Sequence, residues 1–271
     1  MLQNIKVSYS YKDSLVTFFP IFETNEIELT RYVYPIVAEV LHKELGPYRL
    51  IGIIGGGEQI MALGSYAKKV TGVDINPNQV LLFLFKIFSH YEREELIQII
   101  KQKALEISES LLDLFFHFPY RDEWKILTKK FFNSIERGLE LTLLVADIFD
   151  LSPKMLSQHN LVYLSSISET LRNKNKKERL NWYKQVLGVI KKRQDVLLLD
   201  VSLLRKPMIE MVEMDIPTLK VTFMEDFRGF EETICMVSEN RKLLKRIEER
   251  LVENKNCEEF TLTFYSRPSR K

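Results

Sequence analysis

The run from Leu50 to Lys86, LIGIIGGGEQIMALGSYAKKVTGVDINPNQVLLFLFK, constrains this chain more than any other part of it. The short apolar stretch from Tyr48 to Gly55, which this run joins at Leu50, predicts a strand buried on both faces. Gly55, Gly56 and Gly57 follow at once, where the backbone must turn sharply and come close to whatever lies beyond the strand end. A helix is expected from about Glu58 to Ala67, and a second short strand from Val70 to Asp74. Asn76, Pro77 and Asn78 then open another helix, because proline is well placed in a first helical turn.

Strand, glycine turn, helix and strand with a terminal acid form a ligand-binding unit of an α/β sheet. Ligands in such sheets lie beyond the carboxyl ends of the strands. Asp74 stands seventeen residues after Gly57. A carboxylate there can accept hydrogen bonds from both ribose hydroxyls of an adenosine. A dinucleotide fingerprint would need a third glycine three residues after the second, and counting from Gly55 that position is Ile60. The loop therefore suits S-adenosylmethionine better than a pyrophosphate.

The rest of the chain extends the alternation. A helix is expected from Glu26 to Leu45, ended by Gly46 and Pro47. Further strands are expected at Leu141–Ala146, Leu161–Ser165, Val196–Val201, Leu219–Met224 and Phe260–Tyr265. Helices are expected at Arg179–Lys192 and Glu239–Glu253. Residues 91–140 read as helical throughout, longer than a crossover needs, and so as a helical insertion between the second and third strands. The expected fold is a Rossmann-like α/β domain over residues 1–271, with a mainly parallel seven-stranded sheet and a helical extension at 1–47.

The other strand ends supply further candidates. Asp147, or else Asp150, is placed to meet an adenine amino group, with Ile148 beside it; Asp150 could instead cap the next turn. The segment YLSSISE, Tyr163 to Glu169, puts Ser165 and the acid near the transferred group. Ser166 and Ser168 followed by Glu169 also read as a helix start.

These residues carry a family likeness. The glycine turn with Glu58 and Gln59, the strand end Asp74-Ile75-Asn76-Pro77, then Gln79 and Lys86, resemble the 3-amino-3-carboxypropyltransferase family of betaine-lipid synthesis. YLSSISE is similar to that family's fourth-strand motif. The likeness runs from about Leu50 to Thr170 and implies a class I methyltransferase-like fold using S-adenosylmethionine. It implies transfer of the aminocarboxypropyl group to a hydroxyl, that of diacylglycerol in the characterised branch. The chain departs from the pattern in its shorter length and in having Glu58 where aspartate or another residue is usual. The expected cofactor set is Gly55, Gly56, Gly57, Glu58, Gln59, Asp74, Ile75, Asn76, Asp147, Ile148 and Ser165. The expected general bases are Glu169 and Tyr163, with Glu58 as an alternative that could instead hold the amino acid end. Methyl transfer to a small molecule or RNA, and nucleoside binding without chemistry, are the competing readings. Taken from the residues alone, Lys86 could snorkel from an apolar helix and Gln79 could sit in solvent.

Composition bounds the rest. A net charge of +2 over 271 residues points to no nucleic-acid partner, DNA least of all. Cys235 and Cys257, far apart, read as reduced thiols of a cytoplasmic protein. The opening MLQNIKVSYSYKD lacks the pattern of a signal peptide, and no apolar stretch is long enough to span a bilayer, which leaves peripheral membrane contact open. His90 and His117 make no metal pair, so no metal is expected. Phe115, Phe116, Phe118, Trp124, Phe131 and Phe132 read as the core of the insertion, or else as a surface for an apolar acceptor. The basic run Lys174, Lys176, Lys177 and Arg179 reads as a solvated loop.

Overall fold

The computed structural model describes residues 4–9, 27–89, 91, 93–102, 122–165, 176–202, 208–212, 215–225 and 230–265. The central apolar segments become strands because each is covered on both faces. In β2 (Arg49–Ile53), Leu50 belongs to one hydrophobic cluster and Ile51 to the other. In β5 (Leu161–Ser165), Leu161 and Tyr163 face the first cluster, while Val162 and Leu164 face the second. Side chains alternate along a strand, so a continuous apolar run is what a two-sided cover requires.

The helices divide accordingly. The first cluster takes its helical cover from α1 (Tyr34–Leu45), α2 (Glu58–Gly64), α3 (Pro77–Ile87), α5 (Asp122–Glu136) and α8 (Arg241–Glu253). α4 (Arg93–Gln102) adds Ile99. The second is covered by α6 (Pro153–Leu156) and α7 (Lys176–Ile190), through Leu156, Trp182, Tyr183, Val186, Leu187 and Ile190. A single turn of π-helix (Leu29–Val33) leads into α1, and Gly46, at φ 73°, ends it.

The remaining strands are β1 (Ile5–Tyr9), β3 (Lys69–Asp74), β4 (Glu140–Val145), β6 (Leu197–Ser202), β7 (Thr218–Glu225), β8 (Phe230–Val237) and β9 (Phe260–Tyr265). Their order in the sheet is β1-β4-β3-β2-β5-β6-β8-β7-β9. The pairs from β1 to β6 are parallel; β8 runs antiparallel to both β6 and β7, and β9 antiparallel to β7. The core is a Rossmann-like, doubly wound sheet, with β8 inserted antiparallel between β6 and β7 and β9 antiparallel at the edge.

Two details differ from the sequence expectation. The sheet has nine strands, not seven, because β1 and β8 join it. β1 also means that residues 1–47 contribute an edge strand as well as a helix: Ile5 pairs with Leu141 and Tyr9 with Val145. Between β3 and β4 the described residues form α3, α4 and α5, while residues 103–121 of the expected insertion lie outside the described set.

The chain leaves β2 toward β3 and β4 on one side, then returns to β5 on the other. The crevice beyond the ends of β2 and β5 is therefore the topological switch point, where doubly wound sheets take their ligands.

Candidate functional site

The turn at the end of β2 is held from three directions. The Gly55 N–H donates to Asp74 Oδ2 at 3.0 Å, and the Asn76 N–H donates to Asp74 Oδ1 at 2.9 Å. One carboxylate thus ties the ends of two adjacent strands together. The Gly57 N–H donates to the Ile54 carbonyl at 2.8 Å. From α3, Gln79 Nε2 donates to the Gly55 carbonyl, and Lys86 Nζ donates to the Gly56 carbonyl at 2.6 Å.

Lys86 also closes an ion pair with Glu58, Nζ to Oε1 at 2.5 Å, with side chains 3 % and 0 % exposed. Glu58 is the first residue of α2, where the helix dipole favours a negative charge, and Lys86 supplies the counter-charge. Of the two readings open for Lys86 and Gln79, the snorkelling and solvated ones do not hold: both side chains are buried and brace the turn. Glu58 is fully buried, with Lys86 as its counter-charge.

Gly57 has no substitute in this arrangement. Its φ is 94°, and an added Cβ would lie 2.4 Å from Phe83 Cδ2. Gly55 has φ 51°, with open space where a side chain would go.

Burial raises the Asp74 carboxyl to about 6, against the lowering effect of the two backbone N–H groups. Each carboxylate oxygen offers two lone-pair sites, so one on each remains after the Asn76 and Gly55 bonds. That is the acceptor pair a vicinal diol requires. Asn76 caps α3, its Oδ1 accepting from the Asn78 N–H at 3.0 Å. Ile75 is half-buried between the two.

Asp147 follows β4. Its Oδ1 accepts from the Phe149 N–H at 3.0 Å, so Asp147 caps the 3₁₀ turn Ile148–Asp150; the next helix is capped by Ser152, not by Asp150. Its Oδ2 lies 3.7 Å from Arg179 of α7, whose guanidinium sits 4.6 Å from the Phe149 ring centre. The Trp182 indole N–H donates to the Leu151 carbonyl at 2.8 Å and its ring meets Phe149 edge-on. Arg179 was read as part of a solvated basic loop; instead it locks the start of α7 to the end of β4. The sequence carried no signal for this pairing beyond the opposite charges. The Asp150 carboxyl is raised by burial and by neighbouring Asp147.

Ser165, half-buried, ends β5 on the far side of the crevice. Glu169, together with Ser166 and Ser168, lies outside the described residues. Tyr163 is fully buried, its ring edge-on to Tyr34 at 5.7 Å between centres, and its Cβ fills the space that Gly52 leaves empty. The expected base Tyr163 is thus a core residue. Trp124, Phe131 and Phe132 are likewise buried, which fits the reading of the insertion aromatics as core; Phe115, Phe116 and Phe118 lie outside the described residues, as do His90 and His117. Among the described residues no group of three His, Cys, Asp or Glu could hold a metal, and no helix is long and apolar enough to cross a membrane. Cys235 and Cys257 are free and buried.

No protein-family model matches this chain, and no curated protein does. Solved structures do. The N-methyltransferase NodS from Bradyrhizobium japonicum WM9 aligns at a TM-score of 0.45 and 9 % identity, over 80 % of this chain and 98 % of that one. The rRNA methyltransferase aviRa from Streptomyces viridochromogenes aligns at 0.44 and 13 %, over 85 % and 91 %. The glycopeptide N-methyltransferase MtfA, solved with S-adenosylmethionine, aligns at 0.35 and 9 %, over 88 % and 95 %. At these values the likeness is one of chain layout.

Proposed function

We propose that this chain is an S-adenosylmethionine-dependent transferase whose nucleoside lies in the crevice between the ends of β2 and β5. The observation that carries the reading is Asp74. It is fixed by the Gly55 and Asn76 N–H groups and keeps one acceptor site on each oxygen for the two ribose hydroxyls. A dinucleotide is disfavoured on the same ground. Two of the loop amides that a pyrophosphate would recruit are already donated, to Asp74 and to Ile54, and a buried acid stands at the helix N-terminus. Asp147 and Ile148 would meet the adenine, and Ser165 would face the reacting end.

The group moved is proposed to be 3-amino-3-carboxypropyl, to a hydroxyl or amine acceptor. The support is the resemblance, whose motif residues Glu58, Gln79 and Lys86 converge on one turn. When bound, S-adenosylmethionine supplies a sulfonium whose carbon–sulfur bond breaks as the acceptor's lone pair attacks the carbon, the bonding electrons leaving with methylthioadenosine. The protein's task is orientation to about 3–3.5 Å for attack, and removal of the acceptor's proton, for which Glu169 is the candidate.

The test is product identity. The pure protein is incubated with S-adenosylmethionine and a lipid extract, and the nucleoside released is identified by mass spectrometry. Methylthioadenosine above the enzyme-free background is expected. S-adenosylhomocysteine would make the chain a methyltransferase and refute the aminocarboxypropyl reading. Binding with no turnover on any acceptor class offered would refute both.

A further inference from the structure

At the pole of the sheet opposite the crevice, a cavity of about 570 Å³ opens between the C-terminal end of α2 and the outer face of α5. Its walls are Ser65, Tyr66, Ile126, Lys129, Lys130, Asn133 and Arg137, three cations with no acid among them. None of the three takes part in an ion pair among the described residues. The Tyr66 ring stacks on His42 at 5.2 Å between centres and carries Lys130 Nζ on its face at 4.6 Å. The nearby Glu39 carboxyl, on α1, is held below its ordinary value by Lys43 first, then by Arg250 and by the charge of Lys130.

The layout along α5 decides what such a surface fits. At 3.6 residues per turn, Lys125, Ile126, Lys129, Lys130, Asn133 and Arg137 fall within about 140° of one face. The cations from Lys129 to Arg137 span about 12 Å of that face at ~1.5 Å per residue. Cations strung along a line suit an array of phosphates rather than one. By the same count Glu136, which is exposed, falls inside this face between Lys125 and Lys129, about 10 Å along the helix from Lys129.

Ile126 separates the two polyanions that present such arrays. It is 76 % exposed, the most exposed large hydrophobic residue among those described, and it sits between the lysines. A nucleic-acid backbone gains nothing from an exposed isoleucine. An anionic bilayer does: the side chain enters the acyl boundary while the flanking cations meet the headgroups. We propose that the outer face of α5 is a docking surface for an anionic membrane, with headgroup phosphates seated in the Lys129–Lys130–Arg137 recess. The surface is independent of which group the crevice transfers, and its test uses no nucleoside.

The test is flotation of the full chain with phosphatidylglycerol vesicles and, in parallel, with phosphatidylcholine vesicles. Binding to the first and not the second is expected, and it should fall steeply with added salt. Each cation near a charged surface accounts for about a fivefold change in partition, so Lys129→Ala/Lys130→Ala is expected to lose ~25-fold. Ile126→Ser is expected to lose about tenfold at unchanged charge. All three positions are exposed, so unchanged thermal unfolding of the variants is the control for folding. Equal binding to both vesicle types, or to neither, overturns the proposal. So does an unchanged Ile126→Ser, or a single-stranded RNA oligonucleotide that binds the same recess more tightly than the vesicles, since either would make the stripe a nucleic-acid contact.

Discussion

Replacing Lys86 with methionine puts the bracing of the glycine turn to a quantitative test. The substitution keeps the length and apolar stem of the side chain, so α3 keeps its packing, and only the ammonium is lost. Two interactions go with it: the 2.5 Å contact with Glu58 and the 2.6 Å bond to the Gly56 carbonyl. Glu58 is 0 % exposed and would be left as a buried carboxylate with its counter-charge removed. Breaking a buried pair on one side costs about 3–5 kcal/mol, the Gly56 bond included. A domain typically has about 5–15 kcal/mol in all, so the variant should fold but unfold at clearly lower urea. Removing both charges, as Glu58→Leu/Lys86→Met, should cost less than about 2 kcal/mol, because a buried pair replaced by apolar side chains is often neutral and only the Gly56 carbonyl still lacks its donor. Equilibrium urea denaturation of the wild type, both single variants and the double variant closes the cycle. A Lys86→Met cost below about 1 kcal/mol would refute the reasoning, and so would a double variant as unstable as the sum of the singles.

Asp74→Ala should weaken S-adenosylmethionine at least about a hundredfold in calorimetric titration, since two hydrogen bonds to a carboxylate are lost at about 1.5–3 kcal/mol each. The Asp74 carboxyl at about 6 lies above its ordinary 3.8, so the folded chain holds this proton more tightly than the unfolded one. Its contribution to stability is then fully present below the ordinary value and is lost as pH rises through about 6. Ligand affinity runs the other way, because the ionised form accepts both ribose hydroxyls: it should fall as pH drops through about 6, and Asp74→Asn should remove that dependence. Gly57→Ala, with φ 94° and Phe83 at 2.4 Å, should cost about 2–5 kcal/mol of unfolding free energy. Gly55→Ala, with φ 51° in open space, should cost only the backbone strain of about 1–2 kcal/mol.

Much of the sheet was legible because its central strands are buried on both faces and so read as short apolar runs closed by glycine or an acid. Leu161–Ser165 and Phe260–Tyr265 were placed with the observed ends. β1 and β8 were not read. The first is a five-residue edge strand whose partner β4 lies more than a hundred residues away, and the second carries Glu231 and Glu232 directly after Phe230, which dilute its apolar signal. Tyr163 shows the limit from the other side. Its place near a strand end is a matter of sequence, but whether its ring points to the crevice or into the core depends on Tyr34 and Gly52, which only the packed sheet brings to it.

The sequence alone determined the glycine turn, the acid closing the next strand and the α/β alternation, because these follow from local sterics and from the period of apolar residues. It placed Glu58, Gln79 and Lys86 in one motif without saying what they do. That Lys86 reaches back 28 residues to Glu58, and that Arg179 closes on Asp147 across 32, was decided by the tertiary structure. A charge in an apolar helix must find a partner, and which partner is near depends on how the sheet stacks its helices, a property of the whole fold.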